Sequence, residues 1–148
     1  MNRQTGMLPN TGWKGWCLAF CALPFLAACG GNQFAYLDEG GGLTLSVVRE
    51  QSYLAGPWKS TLISAATPRC QKRHALEGLT EDGFQLKVFR PEPGVYILNA
   101  GTRWYVTELR NCEFQVYKAP PPYPGDPLGR FEIRNGNLEF ISEKPAKR

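Results

Sequence analysis

Five cysteines carry most of the reactive chemistry in this sequence of 148 residues. Cys17 and Cys21 lie inside an uncharged apolar run, Cys29 follows that run, and Cys70 and Cys112 stand much further along the chain. A cysteine thiol can be acylated, be oxidised to a disulfide or ligate a metal ion. The sequence has no Cys-x-x-Cys pair and a single histidine, so neither a redox pair nor a four-ligand zinc site is favoured.

The apolar run from Cys17 to Ala28 comprises about a dozen residues, fewer than the ~20 that a membrane-spanning helix needs. Arg3 and Lys14 precede it and small residues end it, which is the arrangement of a secretory signal. The sequence Leu26-Ala27-Ala28-Cys29, followed by Gly30, resembles the lipobox of bacterial lipoproteins. The resemblance ends at Gly30, and the remainder of the chain resembles no family that we recognise.

The resemblance implies a covalent lipid anchor. A diacylglycerol group would be attached to the sulfur of Cys29, and a signal peptidase would cut before that residue. Two or more acyl chains hold a protein lastingly on a membrane, since each buried methylene contributes about 0.8 kcal/mol. Gly30 is not the aspartate that retains many lipoproteins at the inner membrane, so the resemblance favours the periplasmic face of the outer membrane.

The same resemblance assigns the remaining cysteines. Cys17 and Cys21 would leave with the signal, and Cys29 would carry lipid. Cys70 and Cys112 would then form an even pair in an oxidising compartment, which predicts a disulfide. Closing a loop of roughly 43 residues would add about 4 kcal/mol to stability in the chain-entropy model.

The composition from Cys29 onward suits one domain with a nearly balanced charge. Arg3 and Lys14 are the only charged residues before Cys29, so fifteen basic and thirteen acidic residues remain, a formal charge of +2. This balance and an exported location both argue against a nucleic-acid partner. The 12 prolines and 16 glycines, together with many β-branched and aromatic residues, favour strands joined by turns.

Alternating apolar residues predict an all-β fold, a small sandwich or open barrel of about eight short, mainly antiparallel strands. The clearest alternation is Phe84, Leu86 and Val88 inward against Gln85 and Lys87 outward. The predicted strands begin at Leu43, Trp58, Phe84, Val95, Arg103, Cys112, Phe131 and Asn137, and Arg69 begins a segment that is expected to be extended. We expect residues 1–28 to be the signal, 29–42 a flexible tether, 43–142 the β domain and 143–148 a charged tail.

Two local patterns refine this expectation. Asn135-Gly136 separates two alternating runs, which is the signature of a type I′ hairpin because both central positions need positive φ. The segment Ala119–Leu128 is rich in proline, and proline donates no ladder hydrogen bond. It is therefore predicted to be an extended surface loop, with a second possible use as a docking peptide for an aromatic groove.

A run of cations supplies the candidate binding site. Arg69, Lys72, Arg73 and His74, with Tyr105 facing outward, are suited to an anionic partner such as a lipid headgroup or an acidic protein face. The alternative interpretation is that these charged residues form a solvated strand edge, which discourages edge-to-edge aggregation. Trp104 and Val106 are predicted to face the core, opposite Tyr105.

The remaining patterns favour a protein without catalysis. The sequence has no Gly-x-Ser-x-Gly, His-Glu-x-x-His or phosphate-binding loop, and His74 has no evident orienting acid or nucleophile. We expect no enzyme activity, cofactor or metal. The first hypothesis is an envelope interaction or assembly module with a protein partner; the second is a glycan- or lipid-binding protein that uses exposed aromatic and basic residues; a hydrolase ranks third.

Overall fold

The computed structural model describes residues 30–79 and 83–143, which form ten β-strands in two antiparallel sheets. The predicted lipobox, Leu26 to Cys29, and the tail beyond Glu143 lie outside these ranges. The strands are β1 (Asn32–Gly40), β2 (Leu43–Gln51), β3 (Trp58–Ala66), β4 (Cys70–Leu76), β5 (Gln85–Glu92), β6 (Val95–Ala100), β7 (Arg103–Glu108), β8 (Glu113–Tyr117), β9 (Asp126–Arg134) and β10 (Asn137–Ser142).

The first sheet has the order β1-β2-β3-β4, and the second has the order β10-β9-β5-β6-β7-β8. Every neighbouring pair is antiparallel. Short connections allow this for consecutive strands, whereas β5 and β9 pair although β6, β7 and β8 lie between them in sequence. The all-β prediction is therefore confirmed, with two sheets that form a sandwich. No helix in the described ranges is long and apolar enough to cross a membrane.

A single hydrophobic core lies between the sheets. The first sheet contributes Leu45, Val47 and Leu62, and the second contributes residues such as Leu98 and Phe131, all fully buried. The inward and outward alternation predicted for β5 is confirmed, since the side chains of Phe84, Leu86 and Val88 are buried while Gln85 and Lys87 are exposed. Removing these apolar surfaces from water is the main force that holds the sheets together.

The predicted Asn-Gly hairpin joins β9 to β10. Asn135 and Gly136 have φ values of 52° and 79°, so both central residues occupy the left-handed region that a type I′ turn requires. The register then pairs Arg134 with Asn137 and Phe131 with Phe140. This hairpin is the part of the fold that local sequence specifies most fully.

Side chains link the sheets at the β4–β8 side of the sandwich. The Sγ atoms of Cys70 and Cys112 lie 2.12 Å apart, so the predicted pair is a disulfide, which connects the first residue of β4 to the turn before β8. Nearby, the hydroxyls of Ser64 and Thr107 are fully buried and lie 2.8 Å apart. One covalent bond and one buried hydrogen bond therefore fix the spacing of β3 and β4 relative to β7 and β8.

The predicted flexible tether is wrong for most of its length, because residues 32–40 form β1. Ala35 is buried in the core opposite Val47, and β1 pairs with β2 along nearly its whole length. The apolar alternation in β1 is weak, because Ala35 and Leu37 share the inward face with the polar Gln33 and Glu39, and flanking glycines gave the segment the composition of a linker. Backbone pairing with β2 orders the segment, and that pairing is not visible in the local sequence.

The predicted proline loop is shorter than expected, because β9 begins at Asp126 and includes Pro127. Pro127 lies opposite Phe89 at the beginning of the strand, where the register between β5 and β9 shifts. Strand ends and bulges are the positions at which a sheet tolerates a residue without an N–H group. The loop proper is therefore the segment from Ala119 to Gly125.

Candidate functional site

The five residues of the predicted anion site do not form one surface. The pairing of β3 with β4 places Lys72 and His74 on the face that meets the second sheet and Arg73 on the opposite face. Arg73 lies 3.6 Å from Glu50, and both side chains are more than half exposed. Such a pair contributes little to stability, and it also neutralises the cation that was expected to attract an anion.

His74 is an interior contact of the β4–β8 side. Its ring stacks on Phe114 of β8, with centroids 4.2 Å apart and planes 9° from parallel. Its Nε2 atom is buried and has no hydrogen-bond partner among the residues described. Burial, assisted by the positive charge of Lys72, lowers the pKa of His74, so the stack favours the neutral ring.

Tyr105 faces the core, which overturns the prediction that it faces solvent. Its side chain is 1% exposed, it stacks with Phe114, and its hydroxyl donates a hydrogen bond of 2.7 Å to the carbonyl of Glu77. Trp104 lies on the outer face against Phe89. Trp104 and Tyr105 place a large aromatic side chain on each face of β7, so hydrophobicity alone could not predict which face is buried. Tyr105 can be buried because its hydroxyl reaches a hydrogen-bond partner.

Tyr96 is likewise buried in the core and is unavailable to a ligand. Burial is the main cause of the raised pKa of its phenol, and the neighbouring carboxylate of Glu39 adds to it. Glu39 accepts a hydrogen bond of 2.8 Å from Arg90, which links β1 to β5. The ion pair between Glu39 and Arg90 therefore connects the two sheets, and Tyr96 lies beside it.

The described surface has shallow depressions. One of about 340 Å³ is lined by Thr102, Arg103, Val116, Tyr117 and Lys118, and another of about 350 Å³ lies beside Pro93 and Arg110. Within residues 30–79 and 83–143, no group of three or more histidine, cysteine, aspartate and glutamate side chains is placed to hold a metal ion. What the surface does offer is a set of exposed apolar side chains.

Seven large apolar side chains are exposed among the described residues, and they fall into two groups. The first, which we call the entry surface, lies where the chain enters the domain and comprises Phe34, Tyr36, Tyr53 and Leu54. The second, which we call the β8 surface, comprises Val116 and Tyr117, which lie on opposite faces of the edge strand β8, and Tyr123 in the segment that follows. Clustered exposed apolar side chains mark candidate interaction sites, whereas isolated ones need no explanation.

The β8 surface is built from an edge strand and the proline segment that follows it. β8 ends the order of the second sheet, so it pairs with β7 alone. Tyr123 is 62% exposed, although the segment is fixed two residues later at Gly125. A Cβ at Gly125 would lie 2.3 Å from the backbone nitrogen of Pro91, and its φ is 90°, so only glycine allows this close approach.

Sequence patterns anticipated part of this surface and missed the rest. The proline segment was predicted to be an extended surface loop with a second use as a docking peptide. Tyr123 lies within the proline segment, and Tyr53 and Leu54 precede the Ala55-Gly56-Pro57 turn; none of the three was predicted to be a binding residue. Large apolar residues placed next to turn residues are the signal that could have revealed both groups, since turns lie on the surface.

The chain has no recognisable relative in the comparisons made with known proteins: no family matches it, and neither does a curated protein sequence or a solved structure.

Proposed function

We propose that this protein is a lipid-anchored, non-enzymatic interaction module of the bacterial cell envelope, and that it binds a protein partner through the β8 surface. The lipobox-like sequence ending at Cys29 supports the anchor, and Gly30 after it favours the periplasmic face of the outer membrane. The Cys70–Cys112 disulfide supports an oxidising compartment of this kind.

The observation that carries the partner proposal is the combination of an open strand edge with a fixed, exposed aromatic segment. An edge strand offers unpaired backbone groups to which a partner strand can add. Tyr117 and Tyr123 supply amphipathic rings of the kind that are enriched at protein interfaces. Prolines and the packed Gly125 restrict the loop before binding, so less conformational entropy is lost when a partner docks.

In-cell photocrosslinking tests this proposal directly. A photoreactive residue placed at Tyr123 of the full-length protein should give one dominant crosslinked protein, identified by mass spectrometry. The same residue placed at Glu139, which is exposed on β10, provides the matched control. Equal crosslinking at both positions, or none at Tyr123, would reject the β8 surface as the partner site.

Loosening the loop without shortening it gives an independent test. Replacing Pro120, Pro121 and Pro122 with serine keeps the length that the chain needs to cross from β8 to β9. It should reduce partner recovery while the thermal unfolding temperature remains close to that of the wild type, because the loop contributes no core residue. Unchanged recovery would show that these prolines are not needed.

A glycan- or lipid-binding role is the second candidate, and one observation favours it. Arg103, Tyr117 and Lys118 line the same depression of about 340 Å³, so an aromatic ring and two cations are available to a sugar or an anionic headgroup. Arg103 is also paired with Glu77 at 2.7 Å, which weakens its attraction for an anion. Saturable binding to an envelope glycan panel that is lost in Tyr117→Ala would support this role in place of a protein partner.

A further inference from the structure

The chain enters the domain at a fixed point beside the β2–β3 turn. The amide of Gln51 donates a hydrogen bond of 2.8 Å to the carbonyl of Gly31. A Cβ at Gly30 would lie 1.8 Å from the carbonyl oxygen of Gln51, and one at Gly31 would lie 2.5 Å from the ring of Trp58. The two glycines are therefore packed against the end of β2 and the start of β3.

This packing leaves almost no free chain between the predicted lipid attachment and the folded domain. Consecutive Cα atoms are about 3.8 Å apart, so the Cα of Cys29 must lie within that distance of the packed Gly30. If Cys29 carries lipid, the β2–β3 turn and the start of β1 must lie close to the bilayer surface. The side chains at that end of the domain thus decide how the domain meets the membrane.

The β2–β3 turn presents apolar side chains at this end. Leu54 is 71% exposed and Tyr53 is 57% exposed. The turn is held by a hydrogen bond of 2.9 Å from the amide of Gly56 to the carbonyl of Tyr53 and by one of 2.7 Å from the side chain of Gln51 to the carbonyl of Gly56. Both exposed side chains are therefore displayed by a turn with a defined conformation.

The first strand continues the apolar surface. Ala35 faces the core, so Phe34 and Tyr36 face outward, and their rings lie 5.8 Å apart. Phe34 lies opposite Val48 of β2, and Val48 is only 8% exposed. Phe34 is only two residues into β1, close to the point of entry.

We propose that the entry surface lies in the bilayer interface, where Leu54, Tyr53 and Phe34 insert among the lipid headgroups and orient the domain. This inference rests on the proposed lipid anchor and adds to it a second, side-chain contact with the membrane. Tyrosine is enriched at membrane interfaces because its ring is apolar and its hydroxyl remains hydrated, and leucine and phenylalanine gain from leaving water. Tyr123 lies towards the opposite end of the strands, two residues before Gly125, which packs against Pro91 near the end of β5.

Depth-dependent fluorescence quenching tests the orientation. The full-length lipidated protein and its Leu54→Trp and Tyr123→Trp variants are placed in vesicles of phosphatidylethanolamine and phosphatidylglycerol with acyl chains brominated near the headgroup. Cleavage before Cys29 removes Trp13 and Trp16, so the signal of the wild type, which is subtracted, arises from Trp58 and Trp104. Bromine should quench the added fluorescence of Leu54→Trp to roughly half, since an interfacial side chain lies about 5–10 Å deep, and should leave that of Tyr123→Trp unchanged.

Flotation of the same vesicles distinguishes a failure of the proposed lipid anchor from a failure of the proposed orientation. If the wild-type protein carries no fatty acid and does not float with the vesicles, the lipid anchor itself is refuted and this inference falls with it. If the protein floats but bromine quenches both variants equally, or neither, the anchor stands and the orientation is refuted. Protection of Leu54→Trp from a water-soluble quencher without quenching by bromine would place protein, not lipid, on the entry surface and would also overturn the proposal.

Discussion

The entry surface and the β8 surface both expose aromatic side chains, yet they belong to different sheets and to opposite edges of the sandwich. The entry surface includes β1, which lies beside β10, whereas β8 lies beside β4, to which the disulfide joins it. The entry surface adjoins the point at which the chain enters, and the β8 surface is distant from it in the strand order. Under the two proposals, these sides have separate tasks, attachment to the membrane at the entry surface and recognition of a partner at the β8 surface.

The two sides are also held together by different kinds of contact. At the β1–β10 side, Gln33 donates a hydrogen bond of 2.7 Å to the carbonyl of Gly136. At the β4–β8 side, a disulfide, a buried hydroxyl pair and a histidine–phenylalanine stack join the sheets. Glu39 of β1 and Arg90 of β5 also join the sheets by an ion pair, so both sides are linked. The covalent link lies on the side of β8, and the properties of the β8 surface should respond to its removal.

The largest expected effect concerns the attachment side alone. Cys29→Ala removes the sulfur that the lipid needs, so fatty-acid labelling should be abolished and the protein should move from the membrane to the soluble fraction. Labelled palmitate and fractionation measure this result. The β8 surface should remain folded in the released protein. Retention of both label and membrane attachment would refute the anchor and remove the basis of the comparison.

Removing the disulfide should weaken the recognition side most. Cys70→Ser combined with Cys112→Ala keeps the half-buried position polar and the fully buried position apolar. It should lower the free energy of unfolding by about 4 kcal/mol, because the unfolded chain regains the entropy of a loop of roughly 43 residues. Urea unfolding measures the loss, and hydrogen exchange should increase in β8 before it increases in β2. Equal acceleration in both strands would contradict a local role.

The buried hydroxyl pair offers a finer probe of the same side. The hydroxyl of Thr107 donates a hydrogen bond of 3.0 Å to the carbonyl of Glu113, so that of Ser64 must donate to Thr107. Thr107→Val should cost about 1–3 kcal/mol, because it leaves a buried donor and a carbonyl unpaired. Adding Ser64→Ala should recover part of that loss in urea unfolding. Strictly additive effects would show that the two hydroxyls do not act as a pair.

The smallest expected effect is a pH dependence of the His74 stack. Its pKa in the folded protein is lowered from 6.5, so the unfolded chain binds a proton first as the pH falls. The stabilising contribution of the neutral ring is therefore complete above pH 6.5 and is lost as the pH falls from 6.5 through the lowered pKa. Chemical unfolding at successive pH values should show this decline, and His74→Asn should abolish it. Because His74 is the only histidine, an unchanged decline in the variant would assign it to other groups.

Local sequence was most informative where the conformation of a short segment depends on its own residues alone. The Asn135-Gly136 turn requires positive φ at both residues, and Phe84, Leu86 and Val88 alternate without interruption, so hairpin and strand face were both predictable. The face of β7 was not, since Trp104 and Tyr105 are equally suited to a core. The carbonyl of Glu77, 28 residues away, supplies the partner that lets Tyr105 occupy the interior.

The features of the candidate site also divide into those that could be predicted from the sequence and those that could not. The proline segment and the cysteine pair could be found from composition and count, because proline is excluded from central strands and thiols pair in an oxidising compartment. The division of the cation run was predictable, since adjacent residues such as Arg73 and His74 face opposite sides of a strand, but which of them faces the second sheet was not. The pairing of β4 with β3 decides which of them meets Phe114.

The sequence by itself determined the all-β architecture, the final hairpin and the pairing of Cys70 with Cys112, because turn chemistry, alternation and cysteine number are local or countable properties. Only the tertiary structure decided that residues 32–40 are a strand, that Tyr105 is buried, and that seven exposed apolar side chains separate into an entry surface and a β8 surface. The physical reason is that strand pairing and burial depend on partners distant in the chain, and no local pattern identifies those partners.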